Sequence, residues 1–412
     1  MKSETMTYLV VRPKGWMGLL GFMLLFMLIS LTGCSSDEGD EPRVEGPDVE
    51  QGVPFELYGF VADYQEPQMK QAATRDMTVW NPDGYTRYNG TDQKVCICFT
   101  QDDHDPEHDK MIGYFFYSGD KWRTDLEDIR TESYYLYGFT PHTTGVSCEI
   151  SSSADASDHS SYSAGAVLKI NNLPTVTSSD ICVVVGAKNG HNNKVAKKNP
   201  NEYEVVGLQP GDFEFQAVAT STSGPTGNEV YLLFDHIYAA LLFQVSVNPK
   251  YNELRTIKLK ELRLTTSSDD APMKEKTNAT VTLAANPEKP ITEVVFTQTG
   301  SKTIDGSVYQ AELGEEGITL PDTDNPEEFV SHFMPQGVTN LIVTSIYDVY
   351  DKTGKKVREN CTAVNTLPIS LFDRQDHAEG GKKYTIEMTI NPTYLYVLSE
   401  PDLDNPTVTV SL

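Results

Sequence analysis

The chain has 412 residues, with 59 acidic residues against 33 basic ones and a formal net charge of −26 at pH 7. A charge this negative repels nucleic acid and anionic membrane surfaces, so the composition argues against a nucleic-acid-binding protein. The length favours two domains over one.

The N-terminal segment has the features of a bacterial secretory signal. Three basic residues precede an apolar run at 16–29, which is too short to span a bilayer. The small residues just before Cys34 resemble the lipobox of bacterial lipoproteins. We therefore predict a signal peptide over 1–33, diacylation of Cys34 and lipid anchoring in the outer membrane.

An acidic stretch follows the predicted lipidation site. Residues 34–52 are rich in Asp, Glu, Gly and Pro and have no hydrophobic pattern, which predicts a disordered tether. An acidic run directly after the lipidated cysteine also resembles the surface-export signal of Bacteroidetes lipoproteins. We therefore predict that the protein faces the medium; the alternative is a simple solvated linker.

Strand-like runs dominate the rest of the chain. They are short, rich in Val, Ile, Tyr and Phe, and separated by Gly, Asn, Asp, Ser and Pro. Strands without intervening helices form antiparallel sheets. We predict an all-β protein with two tandem antiparallel β-sandwich domains, at 53–236 and 237–412. A change of parity among the apolar residues of 257–264 predicts a β-bulge near Lys260 and Glu261.

The cysteines that follow Cys34 are five in number and contain no Cys-x-x-Cys pair. In a strand, Cys96 and Cys98 would point to one face, as buried small hydrophobes do. We therefore expect neither a disulfide framework nor a zinc site.

The sequence gives little indication of a metal site or of catalysis. The acidic segment 101–110 carries hard oxygen ligands suited to calcium, but its spacing is not that of an EF-hand, and a solvated loop is favoured. His236 lies beside an apolar strand, which indicates a packed or hydrogen-bonded histidine more than a catalytic one. The sequence contains no Gly-x-Ser-x-Gly, His-Glu-x-x-His or phosphate-loop motif. We expect no enzymatic activity, no cofactor and no metal.

Three stretches together resemble the fimbrillin family, the type V pilins of Bacteroidetes. They are the pair FFYSGDKW and YYLYGFTP at 115–122 and 134–141, a segment at 234–266 that contains His-x-x-Ala-x-Leu-x-Phe, and the C-terminal segment 381–410. The resemblance implies transthyretin-like β-sandwich domains and a fimbrial subunit. It further implies that an Arg-directed protease removes an N-terminal strand, after which a neighbouring subunit donates a strand to the emptied groove. Head-to-tail repetition of that contact builds a filament.

The first strand-like run after the tether is the candidate for removal. It is the run 54–64, whose one face carries Phe55, Leu57 and Val61. Cleavage after Arg75 would release it, whereas cleavage after Arg43 would free only the tether. The alternative is that this strand is permanent and Arg75 is an ordinary exposed arginine.

The C-terminal end supplies the candidate donor strand. Val408, Val410 and Leu412 share one face of the alternating run TVTVSL. The alternative is a final edge strand within its own domain. In that case the chain would be a tip or anchor subunit instead of a stalk subunit.

The leading hypothesis is a structural or adhesive subunit of a cell-surface fimbria. Its partners would be other fimbrial subunits, the outer membrane and a host or bacterial surface glycan or protein. The alternative is a glycan-binding surface lipoprotein of a polysaccharide-uptake system, with Trp80 and Trp122 in an aromatic platform, although core packing is the favoured interpretation of these tryptophans. A third hypothesis, an extracellular hydrolase, would need a cleft with convergent carboxylates.

Overall fold

A computed structural model describes most of the chain after residue 52. The described residues are 53–65, 85–101, 110–126, 132–152, 162–189, 195–199, 202–205, 211–215, 229–268, 272–284, 289–303, 306–307, 313, 316–372, 376–395 and 400–411. They are almost entirely strands, which confirms the all-β prediction. Among them, no helix has the length and apolar character needed to cross a membrane.

Strands follow one another along almost the whole of the described chain. The first strands are β1 (Val53–Ala62), β2 (Tyr85–Arg87), β3 (Lys94–Thr100), β4 (Lys110–Ser118), β5 (Lys121–Thr124), β6 (Glu132–His142), β7 (Ser147–Ser152), β8 (Gly165–Pro174), β9 (Val176–Thr177), β10 (Cys182–Asn189), β11 (Val195–Asn199), β12 (Glu202–Val205), β13 (Gly211–Phe215) and β14 (Glu229–His236). The later strands are β15 (Ala239–Val247), β16 (Arg255–Ser267), β17 (Lys274–Ala284), β18 (Ile291–Thr303), β19 (Gly306–Ser307), β20 (Ile318–Thr319), β21 (Glu327–Phe333), β22 (Asn340–Asp351), β23 (Lys356–Pro368), β24 (Lys383–Leu395) and β25 (Glu400–Ser411). One short helix, α1 (Pro249–Asn252), and two 3-10 turns, Tyr162–Ala164 and Ile369–Leu371, interrupt them.

A nine-stranded sheet closes on itself, and we call it the ring sheet. Its strands follow the order β10, β14, β1, β5, β4, β3 and β6, and β6 pairs again with β10 through Thr140 and Cys182. β2 pairs with β1, and β13 with β6. Apolar side chains fill the inside of the ring, among them Phe99, Phe115 and Leu136, all fully buried. We call this cluster the ring core.

β11 and β12 form a two-stranded sheet. A second and larger core lies among three further sheets. These are the sheet β18–β17–β8–β7, the sheet β25–β24–β15–β21–β9, and the sheet β19–β16–β22–β23 with β20 beside β16. The larger core combines fully buried side chains from every one of them and from the ring sheet, including Phe139, Leu168, Phe243 and Leu259. The ring sheet therefore packs one face on each core.

Strands from both sides of residue 236 share sheets. β8 pairs with β17, and β9 pairs with β21, so two sheets contain strands of both predicted domains. The larger core likewise draws on both halves. The division into two tandem domains at 236 is therefore not confirmed. Alternating apolar residues specify a strand but not its distant partner, which is why the sequence did not reveal these pairings.

The predicted bulge is confirmed in β16. The register against β22 shifts between Leu259 and Glu261. The extra residue changes which face later side chains point to. As a result Leu259 and Leu262, although three positions apart, are both fully buried in the larger core.

Gly138 marks a close approach between two ring strands. A Cβ atom added there would lie 2.1 Å from the carbonyl oxygen of Cys96, which is backbone and cannot rotate away. We expect Gly138→Ala to lower the free energy of unfolding by about 1–3 kcal/mol through overpacking, measured by urea titration. Val364→Ala, at a side chain that is 62% exposed, is the control and should stay within about 0.5 kcal/mol. Equal effects of the two substitutions would contradict this account.

Candidate functional site

The candidate displaced strand, β1, lies within the ring sheet with both edges paired. It runs parallel to β14 over Glu56–Val61. On its other edge it pairs antiparallel with β5 near Phe55 and with β2 near Val61. Without β1 the ring would be open, and the edges of β14 and β5 would lack a partner.

Each face of β1 carries buried apolar side chains, although Glu56 is exposed. Phe55 and Leu57, at 6% and 9% exposure, lie in the ring core, and Val61 packs partly against it. The Phe55 ring lies 4.6 Å from that of Phe115, centroid to centroid. On the opposite face, Phe60 is buried in the larger core. The three predicted residues therefore share one face, and that face fills the ring.

Gly59 leaves room for a side chain from a neighbouring segment. A Cβ atom at this position would lie 2.8 Å from the Cβ of Tyr88. The Tyr88 amide donates to the Gly59 carbonyl at 2.9 Å, and its hydroxyl lies 2.9 Å from the hydroxyl of Thr140. Tyr88 thus covers the site where β1 has no side chain, with its ring 5.0 Å from that of Phe234.

A buried polar cluster holds the C-terminal end of β1. The His236 Nε2 atom donates to the carbonyl oxygen of Ala62, and Nδ1 lies 2.8 Å from a carboxylate oxygen of Asp180. The Tyr64 hydroxyl donates to the same carboxylate at 2.6 Å. The Tyr64 ring stacks on the His236 ring at 3.6 Å between centroids. We call Tyr64, Asp180 and His236 the polar cluster.

The hydrogen bonds of His236 define its charge. A carbonyl and an ionised carboxylate only accept hydrogen bonds, so both contacts are satisfied when both ring nitrogens carry a proton and the ring is an imidazolium. Burial lowers the pKa of His236, but the hydrogen bond and charge of Asp180 outweigh it and raise the pKa above the usual value. Burial raises the pKa of Asp180, and the bond from His236 reverses this, so that pKa is lowered. Each ion therefore stabilises the other.

A second tie follows one residue beyond Tyr64. The Gln65 amide donates to the Gly381 carbonyl at 2.9 Å, and the Lys383 amide donates to the Gln65 carbonyl at 2.8 Å. These bonds join the end of the first strand to the start of β24. The end of β1 is thereby held both by the polar cluster and by the backbone of a distant strand.

Sequence reasoning identified only one member of the polar cluster. His236 was predicted to be packed or hydrogen-bonded, and it is 7% exposed with a partner on each ring nitrogen. Asp180 and Tyr64 were missed because an Asp before a strand and a Tyr after one are common. Asp180, Cys182 and His236 place potential metal ligands within 4.8 Å of one another. Since Nδ1 of His236 already donates to Asp180, we interpret them as a hydrogen-bonded group.

The candidate donor residues lie in β25, at the edge of its sheet. Val408 and Val410 stand opposite Ile390 and Met388 of β24. Both valines are half-buried against the larger core, while the alternate side chains Thr407 and Thr409 are exposed.

Side-chain bonds also hold the beginning of β25. The Tyr251 hydroxyl donates to the Leu403 carbonyl at 2.6 Å, and Arg255 pairs with Asp404 at 2.7 Å. The last strand is therefore paired within its own chain, which is the alternative that the sequence left open. Its role as a donor stays a prediction.

Several predicted sites lie outside the described residues. These are Cys34, Arg43, Arg75, Trp80, Leu412 and most of the acidic segment, 102–109. Trp122 is described, and it is 8% exposed and packed in the ring core. It is therefore a core residue and not part of an exposed aromatic platform.

Comparisons with known proteins found similar solved structures but no matching family model. No protein-family model matches the chain, and no curated protein does. Similar solved structures include a fimbrial protein from Bacteroides vulgatus, at 11% identity and a TM-score of 0.35, covering 77% of this chain and 91% of that one. A candidate cell adhesion protein from Bacteroides fragilis has 8% identity and a TM-score of 0.37, covering 87% and 97%. A fimbrial anchor protein from Porphyromonas gingivalis has 9% identity and a TM-score of 0.23, covering 87% and 97%.

These neighbours are fimbrial and cell adhesion proteins, and the sequence was found to resemble the fimbrillin family. Identities this low say nothing by themselves of what this chain binds or assembles with. The contacts of β1 and β25 are the features of the chain that bear on that question.

The imidazolium of His236 makes the stability of the protein depend on pH. Because its folded pKa is raised, its contribution is fully present below about pH 6.5, the ordinary histidine pKa, and is lost as pH rises through the folded pKa. We expect His236→Gln to lower the free energy of unfolding by about 1–3 kcal/mol at pH 6 and by less at higher pH. Denaturant titrations at a series of pH values measure this.

The control for this experiment is an exposed histidine. His377 is half-exposed and pairs with the exposed Asp376, so His377→Gln should change stability little at any pH. Burial lowers the pKa of the nearby His332, and the charge of His236 lowers it further, so His236→Gln also shifts the pKa of His332 upward. A loss for His236→Gln that is the same at every pH would show that the ring is not held as a cation.

Proposed function

We propose that the protein is a non-enzymatic subunit of a cell-surface fimbria, with a structural or adhesive role, and that it accepts a strand from a neighbouring subunit in place of β1. One observation carries the proposal: β1 closes the ring with both edges paired and with buried apolar side chains on each face. A strand in this position is one whose removal leaves a complete binding groove.

The groove left by β1 would have the features that strand addition requires. The edges of β14 and β5 supply unpaired backbone groups, which give affinity by ladder hydrogen bonds. The spaces vacated by Phe55 and Leu57 lie two residues apart along the strand and open into the ring core. Such alternate pockets give specificity, because only a strand with large apolar residues at the same spacing fills both.

The position of Arg75 in the sequence suits this release. It lies between β1 and β2, so a cut after it separates β1 from the strands that follow. The released piece would also carry Tyr64, which belongs to the polar cluster, and Gln65, whose backbone is hydrogen-bonded to the start of β24. A cut after Arg43 would leave β1 joined to the rest of the fold.

The pairing of β25 supports a terminal position in the filament. A stalk subunit both accepts a strand and donates one. Here β25 is held in its own sheet by β24, Tyr251 and Arg255, so the candidate donor strand is not free in the part of the chain that the structure describes. We therefore propose an end subunit, in which Val408 and Val410 stay in place.

We further propose that diacylated Cys34 and the acidic tether hold the unprocessed chain on the outer surface of the outer membrane. Cleavage after Arg75 would release the chain from that anchor and open the groove in a single step. The partners are then a neighbouring fimbrial subunit and a surface glycan or protein. The alternative of a glycan-binding uptake lipoprotein is less supported, since Trp122 is buried.

Limited digestion with an Arg-specific protease tests the proposal. We expect one early cut after Arg75, detected by intact mass, and a core that stays monomeric on size-exclusion chromatography. Ladders of oligomers would contradict the terminal position and indicate a stalk subunit. Resistance at Arg75, or a cut that never releases β1, would contradict strand exchange altogether. Arg75→Lys should abolish the cut, whereas Arg43→Lys should not affect it.

A peptide-capture measurement tests the groove itself. The cleaved protein, freed of its N-terminal fragment, should bind a labelled peptide with the sequence 53–65, followed by fluorescence anisotropy. Leu57→Asp in that peptide places a charge in an apolar pocket and should weaken binding at least about tenfold. Glu56→Asp, at an exposed position, is the matched control and should bind as the parent peptide does. Equal binding of the two altered peptides would rule out recognition by these pockets.

A further inference from the structure

Three thiols meet at the boundary between two sheets, and we call them the thiol cluster. Cys96 and Cys98 lie on one face of β3 and are 1% and 0% exposed. Cys148 lies on β7, in the sheet that β7 forms with β8, and is half-buried. Its sulfur is 3.1 Å from that of Cys96 and 3.4 Å from that of Cys98. The fold thus brings together residues that the sequence indicated only as small hydrophobes.

The sulfur separations decide between two kinds of chemistry. Three such ligands are a candidate metal site by their spacing alone. Sulfurs that share a zinc ion at about 2.3 Å lie about 3.7–4.0 Å from one another, so both separations here are too short for that geometry. A disulfide needs about 2.05 Å between the sulfurs, which is an approach of about 1 Å from the contact with Cys96.

The pKa values of the three thiols differ, and the difference favours Cys148 as the nucleophile. The hydrogen-bonded contact with Cys96, and then that with Cys98, lowers the pKa of Cys148, and the charge of the nearby Lys110 lowers it further. The bond to Cys148 raises the pKa of Cys98, so that this thiol keeps its proton. Lys110 is held close by, because its amino group donates to the carbonyl of Ile150 at 2.6 Å. Cys148 is therefore the thiol of the group that loses its proton most readily, and it is also the least buried member.

We propose that the thiol cluster is a disulfide-forming site, in which Cys148 bonds to Cys96, with Cys98 as the alternative partner, by exchange with a low-molecular-weight disulfide. The Cys148 thiolate attacks one sulfur of that compound, forms a mixed disulfide and releases one thiolate. Cys96 then loses its proton and attacks the Cys148 sulfur, which releases the second thiolate. The two cysteines are oxidised, and the small disulfide is reduced to two thiols.

The bond would join the ring sheet to the sheet of β7 and β8. It would close a long loop in the unfolded chain, and such closure stabilises the folded state. The remaining thiol stays next to the bond, so it can attack Cys148 and exchange the partner without a new oxidant. Three cysteines at one point therefore give a bond with two interchangeable forms.

The test uses the full chain, reduced, freed of reductant and incubated with oxidised glutathione. Free thiols are then blocked under denaturing conditions, and peptide mapping covers all six cysteines. We expect the thiol cluster to lose two thiols and retain no glutathione, with a linked pair of Cys148 and Cys96 or Cys98. The melting temperature should rise by several degrees and return on reduction.

Variants separate the cluster from the other cysteines. Cys96→Ser should move the bond to Cys98, and Cys148→Ser should abolish it. Cys182→Ser and Cys361→Ser are the matched controls and should leave the bond unchanged, since neither sulfur belongs to the cluster. Peptide mapping of the unaltered chain identifies the linked cysteines by itself. The proposal can therefore be tested even if Cys148→Ser fails to fold.

Three results would overturn the proposal. One is a cluster whose three thiols all stay reactive after oxidation. Another is a Cys148 that retains glutathione as a stable adduct, because then no second thiol reaches it. The third is retention of one zinc ion per chain by the reduced protein after incubation with zinc alone and desalting, which would show a thiolate metal site instead.

Discussion

Closure of the ring sheet by β1 is the constraint on which the rest of the described structure depends. An unpaired sheet edge exposes backbone groups that attract other strands, and closing the sheet removes that edge. The closing strand is the first one in the described chain, and it pairs with β14, which lies far away in sequence. The same strand separates the two cores, since Phe55 faces one and Phe60 the other. A loss of β1 would therefore expose apolar surface on two sides.

The end of β1 is held by interactions of a different kind. The polar cluster supplies a buried ion pair and a hydrogen bond to backbone, and Gln65 supplies a second backbone tie to β24. A buried ion pair adds little to stability compared with a well-packed apolar group, but removing one partner is costly. Such a pair fixes where the strand ends and keeps it in register. It also ties the stability of that region to the protonation of a single histidine.

The two ends of the described chain differ in how firmly they are held. β1 is paired on both edges and has buried side chains on each face, whereas β25 is paired on one edge and none of its described side chains is fully buried. In a filament built by strand addition, the groove and the donor must come from opposite ends of successive subunits. The ties of β25 to Tyr251 and Arg255 are what place this chain at an end of such a filament in our proposal. The thiol cluster, in contrast, acts within the subunit, between two of its sheets.

The sequence by itself determined the secondary structure. Apolar runs with a period of two predicted the strands, a parity change predicted the bulge in β16, and the spacing of Phe55, Leu57 and Val61 predicted the buried face of β1. These features are local, since each depends on residues a few positions apart. The same spacing placed Cys96 and Cys98 on one face and predicted that they are buried.

The tertiary structure decided which strands are neighbours. The pairing of β8 with β17 crosses the predicted domain boundary, the meeting of Cys148 with Cys96 joins two sheets, and the bond of Asp180 to His236 completes the polar cluster. A strand can pair with any other strand of suitable pattern, so periodicity alone leaves the partner open. The partner is fixed only when all strands bury their apolar faces together in the two cores, and that packing depends on the whole chain.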